Sequence, residues 1–343
     1  MTRKSRRPRR PRRPWRVLAW IAGVLAVLML APYLVPVATY DPYASPVPHP
    51  DGHYVEIAGK TFYYRVFARP EGTPVKGRIL LVHGFGGSTN SWNATAPSLA
   101  AEGWLVVAVD LPGFGYSEKK RIDGTYSHET NARDLWLLLD LVSPRDAASG
   151  SRWNLVGHSM GGDVVAWMAA QRPESTGRVV LVDGAVLGAG SDTVSPGSAV
   201  ALLRLPPIAR AATVLLDRLL RNPASIRGTL ASAYGRTPTD AELASYAAPL
   251  AVPGTAASLV TIASARSLDE DDSARLKATG LPVALIWGSA DTWVVPVDQG
   301  RYLSDLLGVT LQLVEGAGHC PMETHPAEFL KLLRNALEPE ASK

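Results

Sequence analysis

Gly157-His158-Ser159-Met160-Gly161 sets a serine between glycines two residues away on either side, directly after the apolar run Asn154-Leu155-Val156. A serine hydroxyl is a weak nucleophile until a neighbouring base takes its proton. Small residues at those two positions let the backbone come close to itself, as a tight strand-to-helix turn requires. Further on, Gly316-Ala317-Gly318-His319-Cys320-Pro321 places a histidine in a glycine-rich loop, where it can swing over Ser159 as general base. His83 and His158 compete with it. His83 reads as a loop-packing histidine, and His158 should point aside on the turn. The segment His83-Gly84-Phe85-Gly86-Gly87 can turn backbone N–H groups toward a developing oxyanion. Two carboxylates follow apolar runs and could orient an imidazole: Asp183 and Asp291.

Other polar residues read as structural. Asp163 falls in the first turn of a helix, where a negative charge suits the dipole. Cys320 has no second cysteine to pair with and reads as a small packing residue. The chain contains neither H-E-x-x-H nor a paired cysteine motif, and no glycine-rich phosphate loop, so neither a metal nor a cofactor is expected.

The elements that must position these groups alternate. Tyr54–Ile57 and Thr61–Phe67 form a hairpin pattern around Ala58-Gly59-Lys60. Then come apolar runs at Arg78–Val82, Leu105–Val109, Asn154–Val156, Val179–Val182, Val283–Trp287 and Val309–Val314. Runs apolar on both faces suit a buried parallel sheet. Helical stretches lie between them, at about 94–102, 127–141, 160–171 and 326–337. The expectation is a doubly wound, mostly parallel eight-stranded α/β sheet with helices on both faces. Almost a hundred residues between Asp183 and Leu281 carry helical patterning and no strand run, with helices expected at 202–220 and 239–248. That is too long for a loop and reads as an inserted helical cap. The expected division is a core at 53–185 and 281–343 and a cap at 186–280.

The formal net charge of +4 is concentrated at one end. Nine basic residues and no acid fall within positions 1–16, which leaves 26 basic residues against 31 acids in the remainder. The body is therefore net acidic, and nucleic acid is not an expected partner. After the basic tail at 1–16, residues 17–40 contain no charge and are long enough to cross a bilayer. Trp15 and Trp20 mark one end, and Tyr33 and Tyr40 the other. The basic side is expected in the cytoplasm and the body across the membrane. A cleaved or twin-arginine signal has the same outline, although no A-x-A site follows the apolar stretch. A core helix should be amphipathic, and this segment is apolar all round. Residues 41–52, with Pro42, Pro46, Pro48 and Pro50, suit an extended linker.

The order of these motifs, from His83-Gly84-Phe85-Gly86-Gly87 through Gly157–Gly161 to Gly316–Pro321, resembles the α/β-hydrolase superfamily over about residues 53–338. The resemblance implies a Ser, Asp, His order with Ser159 as nucleophile, Asp291 as acid and His319 as base. It also implies an oxyanion hole from the backbone N–H groups of Phe85 and Met160. Asp110 opens Asp110-Leu111-Pro112-Gly113-Phe114-Gly115-Tyr116-Ser117, a segment that resembles another α/β-hydrolase motif, and that resemblance implies that it holds a loop near the site. Asp183 remains the rival acid, because relatives such as haloalkane dehalogenases take theirs from that position. A serine at the elbow argues against dehalogenases and epoxide hydrolases, which use Asp there. The implied activity is hydrolysis of a carboxylic ester through an acyl-enzyme, and the membrane anchor favours a lipophilic one. C–C bond hydrolysis, perhydrolysis and proline peptidase activity share the triad, and a non-catalytic ligand-binding relative is the reading from another class. The partners expected are a small-molecule ester and, through the N-terminal helix, membrane lipid.

Overall fold

Side-chain alternation along the strands builds two cores, one on each face of a single sheet. In the computed structural model, which describes residues 14–36, 38–44, 46–119, 126–142, 152–186, 202–265, 272–293 and 297–338, eight strands form this sheet. They are β1 (Gly52–Ile57), β2 (Lys60–Phe67), β3 (Gly77–Val82), β4 (Trp104–Asp110), β5 (Trp153–His158), β6 (Thr176–Val182), β7 (Val283–Gly288) and β8 (Leu311–Val314). Leu80, Val107, Leu155 and Leu181 point to one core, while Leu81, Val106, Val156 and Val180 point to the other. All eight are fully buried. This is the period of two that a pleated strand imposes, and it explains why every strand between β2 and β7 must be apolar on both faces.

Helices α3 (His128–Val142) and α4 (Met160–Gln171) cover the first face with Leu135, Leu139, Val164 and Met168. Helices α2 (Ala96–Ala101) and α12 (Pro326–Leu337) cover the second with Leu99, Phe329 and Leu333. Helix α10 (Val297–Leu307) packs Leu303 into the first core. Each such side chain taken out of water contributes about 1.5–3 kcal/mol.

The strand order is β1-β2-β4-β3-β5-β6-β7-β8. β2 is antiparallel to both β1 and β4, and every pairing from β4 to β8 is parallel. The chain leaves β3 toward β4 on one side and comes back to β5 on the other, so the carboxyl ends of β3 and β5 flank a topological switch point. A crevice opens at such a point in a parallel sheet.

Between β6 and β7 the described residues form five helices and no strand: α5 (Pro206–Leu220), α6 (Pro223–Tyr234), α7 (Asp240–Leu250), α8 (Thr255–Ala265) and α9 (Asp272–Ala278). Positions 187–201, within the expected cap, lie outside the described residues, as do 1–13 of the basic tail.

Helix α1 (Pro14–Leu30) continues into a 3-10 turn at Ala31–Leu34. Val17–Leu34 is apolar and long enough to be a candidate membrane span, and none of that stretch is buried against the body. Its far end does touch the body. Arg210 of α5 donates to the carbonyl of Pro32 at 3.1 Å and to that of Val35, and its guanidinium lies over the Tyr33 ring. The following segment is laid against the first hairpin through the Tyr40–Tyr54 hydroxyl pair at 3.0 Å and the His49–Tyr63 contact at 2.9 Å.

Candidate active site

Ser159 sits between β5 and α4 with φ 48° and ψ −121°. A non-glycine residue there is strained by about 1–3 kcal/mol, so the surroundings must enforce it. Its N–H donates to Val182 at 3.0 Å, and its carbonyl accepts from Gly162 at 2.8 Å and Ala185 at 2.9 Å. The two flanking glycines are required sterically. A Cβ on Gly157 would lie 2.3 Å from the Gly161 carbonyl oxygen, and one on Gly161 would lie 2.5 Å from that of Val82. Helix α4 begins at Met160, so the Met160 N–H has no acceptor within the helix and is free to serve a ligand atom near Ser159.

After β3 the chain turns at residues 84–87, with the Gly87 N–H donating to Gly84 at 3.0 Å and Gly86 at φ 74°. Phe85 occupies the apex and is 45% exposed at the rim of the site. Gly84 lies against the elbow: a Cβ there would fall 2.9 Å from that of Ser159. The loop thus reaches the serine only because Gly84 has no side chain.

His319, 2% exposed, follows β8. Its Nδ1 donates to Oδ2 of Asp291 at 2.9 Å, and Oδ1 of Asp291 accepts the Trp293 N–H at 2.9 Å. A proton on Nδ1 leaves Nε2 as the basic nitrogen. Nε2 is buried and has no hydrogen-bond partner. The main-chain N–H of His319 donates to Ala233 of α6 at 2.7 Å.

Ser159, His319, Phe85 and Trp293 line one cavity of about 300 Å³. Leu216, Leu220, Ile226, Leu230, Leu250 and Leu259 from the inserted helices supply much of its wall. No Lys or Arg is among its described lining residues.

The competing histidines are occupied elsewhere. His83 donates from Nδ1 to the Gly84 carbonyl at 2.7 Å and accepts the Leu111 N–H on Nε2 at 3.1 Å. Burial pushes its pKa down to about 4, which keeps it neutral. His158 donates from Nε2 to the His319 carbonyl at 2.8 Å, and burial holds its pKa well below the usual histidine range. It supports the histidine loop from below. Asp110 accepts the N–H groups of Thr89 at 2.6 Å and Tyr116 at 2.7 Å, so it ties two loops beside the site. Asp163 pairs with His128 on α3.

Asp183 lies next to the pair rather than away from it. One ligating atom from each of Asp183, Asp291 and His319 falls within 4.8 Å of the others. Asp183 accepts the Gly288 N–H at 3.0 Å, is fully buried, and has φ 43°. Burial, followed by the neighbouring Asp291 charge, pushes its pKa well above the carboxylate range. Sequence reasoning missed Tyr234 and Tyr246, whose hydroxyls both donate to Glu323, four residues beyond His319 in the chain.

This geometry matches what comparison with known proteins finds. The family model described as the alpha/beta hydrolase fold matches residues 77–326. An uncharacterized protein of Mycobacterium tuberculosis is 30% identical over 288 residues, covering 76% of this chain and 75% of the relative. An esterase of the same organism is 26% identical over 289 residues, covering 76% and 83%. The crystal structure of a membrane phospholipase A, described as a bacterial virulence factor, superposes with a TM-score of 0.64 at 25% identity over 94% of this chain and 96% of that one. With its sheet, its elbow and a family match over most of its length, the chain belongs to the α/β-hydrolase family and is a hydrolase.

Proposed function

We propose that the protein hydrolyses a lipophilic carboxylic ester through an acyl-enzyme, with Ser159 as nucleophile, His319 as base and Asp291 as acid. The observation that carries this reading is the pairing of His319 Nδ1 with Asp291, which leaves Nε2 as the basic nitrogen of a histidine that lines the same cavity as Ser159. Ser159 Oγ attacks the ester carbonyl while Nε2 accepts its proton. The buried Asp291 carboxylate stabilises the imidazolium that results. The tetrahedral oxyanion is held by the N–H groups of Met160 and Phe85. His319 returns the proton to the leaving alcohol, and a water activated by the same nitrogen then releases the acid.

The leucine-rich wall supports an acyl chain without charge. A dicarboxylate would meet no counter-charge among the described lining residues. The inserted helices act as the cap that selects the chain. Val17–Leu34 anchors the protein in a membrane, with the basic tail on the cytoplasmic side and the body on the other. A relative named membrane phospholipase A that aligns over 94% of this chain supports both the anchor and a lipid ester.

The test is covalent labelling with a fluorophosphonate, together with turnover of a panel of esters graded in chain length. Ser159→Ala should abolish labelling and lower turnover by about four to six orders of magnitude. Labelling that persists in Ser159→Ala removes Ser159 from the mechanism.

A further inference from the structure

Glu323 follows His319 by four residues, in the short helix α11 (Pro321–Thr324). Its two carboxylate oxygens are held from two different inserted helices. Tyr234, the last residue of α6, donates to Oε2, and Tyr246 of α7 donates to Oε1 at 2.7 Å. The contact is partly buried, and burial pushes the Glu323 pKa up to about 7 although both phenols pull it down. Such a group is costly to bury unless its acceptors are filled, and here each oxygen has its own donor.

The same two helices grip the site at other points. The Ala233 carbonyl, one residue before Tyr234, takes the His319 main-chain N–H at 2.7 Å. Asn90, beyond the oxyanion-side loop, donates to the Ser245 carbonyl at 2.8 Å, one residue before Tyr246. Ala233 and Tyr246 line the cavity as well. The α6–α7 hairpin is itself stiffened, because Arg236 in its connection pairs with Glu242 at 2.6 Å and its guanidinium lies over the Tyr234 ring. The connection between the hairpin and the core therefore converges on the loop that carries His319.

We propose that Glu323 is a positioning residue: with Tyr234 and Tyr246 it pegs the α6–α7 hairpin to the histidine loop, and so sets the height of the His319 ring over Ser159. The inference rests on the hydrolytic reading above and adds a way for the inserted helices to act on the base. Glu323 does not touch the reacting atoms. It acts through the Cys320–Thr324 turn, whose N–H groups at Glu323 and Thr324 both return to the Cys320 carbonyl. A displacement of about 1 Å at the imidazole can cost about a hundredfold in rate. One consequence is that the length of acyl chain bound under α6 and α7 should influence turnover as well as affinity.

The experiment compares the full-length protein in detergent with Glu323→Ala, Glu323→Gln and the double variant Tyr234→Phe/Tyr246→Phe. Fluorophosphonate titration counts functional serines, and turnover of short- and long-chain esters is then expressed per titrated site. Glu323→Ala should lower kcat per site about 10- to 100-fold with a smaller change in KM. Glu323→Gln keeps an acceptor for one phenol and a donor for the other, and should recover most of that loss. The double variant keeps the carboxylate but removes both donors, and should reproduce the Glu323→Ala defect. A purely stabilising role would lower the count of titratable sites while leaving the rate per site unchanged, and that result overturns the proposal. If Glu323→Ala does not fold, the double variant decides on the same criterion. Absence of labelling in the unaltered protein would overturn the hydrolytic reading itself, and this inference with it.

Discussion

Asp183 and Asp291 bring carboxylate oxygens within 4.8 Å of each other at the ends of neighbouring strands, and of the two Asp291 is the one that hydrogen-bonds the His319 ring. Two ionised carboxylates this close in a buried site repel, so one of them is held neutral. Burial and its neighbour's charge select Asp183 for the neutral form, which leaves Asp291 to face the imidazole.

Asp291→Asn is expected to lower turnover about 10⁴-fold, because an amide cannot fix the same tautomer or stabilise the imidazolium. Asp183→Asn keeps an acceptor for the Gly288 N–H and mimics a protonated carboxyl. Its loss should stay below about tenfold on the same scale. Steady-state rates on one ester compare the two variants, and the reverse ranking would move the acid to Asp183.

Asp183 should also shape the dependence of stability on pH. Its folded pKa lies well above the unfolded value of about 3.9, so the native state binds the extra proton. Its contribution is fully present below pH ~3.9 and declines as pH rises toward the folded value. Asp183→Asn, which cannot ionise, should flatten that decline. Urea unfolding at several pH values above 4 reads the effect, and identical slopes in both proteins would remove Asp183 as its source.

Glycine replacements separate crowding from conformation. Gly157→Ala forces a Cβ to 2.3 Å from the Gly161 carbonyl oxygen, at the tightest point of the elbow. It should destabilise by about 3 kcal/mol or more and abolish labelling. Gly228 lies inside α6 with nothing within 4 Å of an added Cβ, and Gly228→Ala should stabilise by about 0.5–1 kcal/mol. Thermal melts distinguish the two signs.

The anchor reading predicts topology. Protease added on the non-cytoplasmic side should release a soluble active fragment by cutting within residues 40–52, where Tyr43 and Val47 are exposed. A body protected in spheroplasts would place it in the cytoplasm. Release of the intact protein by high salt would count against a spanning helix, since salt screens charge and leaves apolar burial intact.

Most of the sheet was legible because the apolar runs that mark a two-sided core are uninterrupted. Val283–Trp287 became β7 at Val283–Gly288, and 326–337 became α12 at Pro326–Leu337. The last strand starts at Leu311 rather than Val309, because the Val309 N–H donates to the Ser304 carbonyl at 3.2 Å and its carbonyl accepts the Ser304 hydroxyl at 2.6 Å, which ties Val309 to the end of the preceding helix. Helices α6, α8 and α9 carried weaker signals. Thr255–Ala265 is rich in alanine, serine and threonine with no polar stripe, so its period does not stand out. Motif order singled out Ser159, Asp291 and His319; the structure pairs the last two and sets Ser159 on the same cavity as His319. The closeness of Asp183 to Asp291, and of Tyr234 and Tyr246 to Glu323, depends on tertiary packing between distant segments, and no local pattern encodes it.

β6 and β7 pair directly, Val179 with Val283 through Val182 with Ile286, although the intervening chain runs from Asp183 to Pro282. The sheet is thus continuous across the point where the described inserted helices depart and come back. Residues of those helices can be exchanged, lengthened or recombined while the hydrogen-bonded ladder beneath stays in register. On the proposed reading, preference for one substrate over another can therefore drift in a lineage without renegotiating the chemistry, provided that the few contacts joining the insertion to the histidine loop are kept.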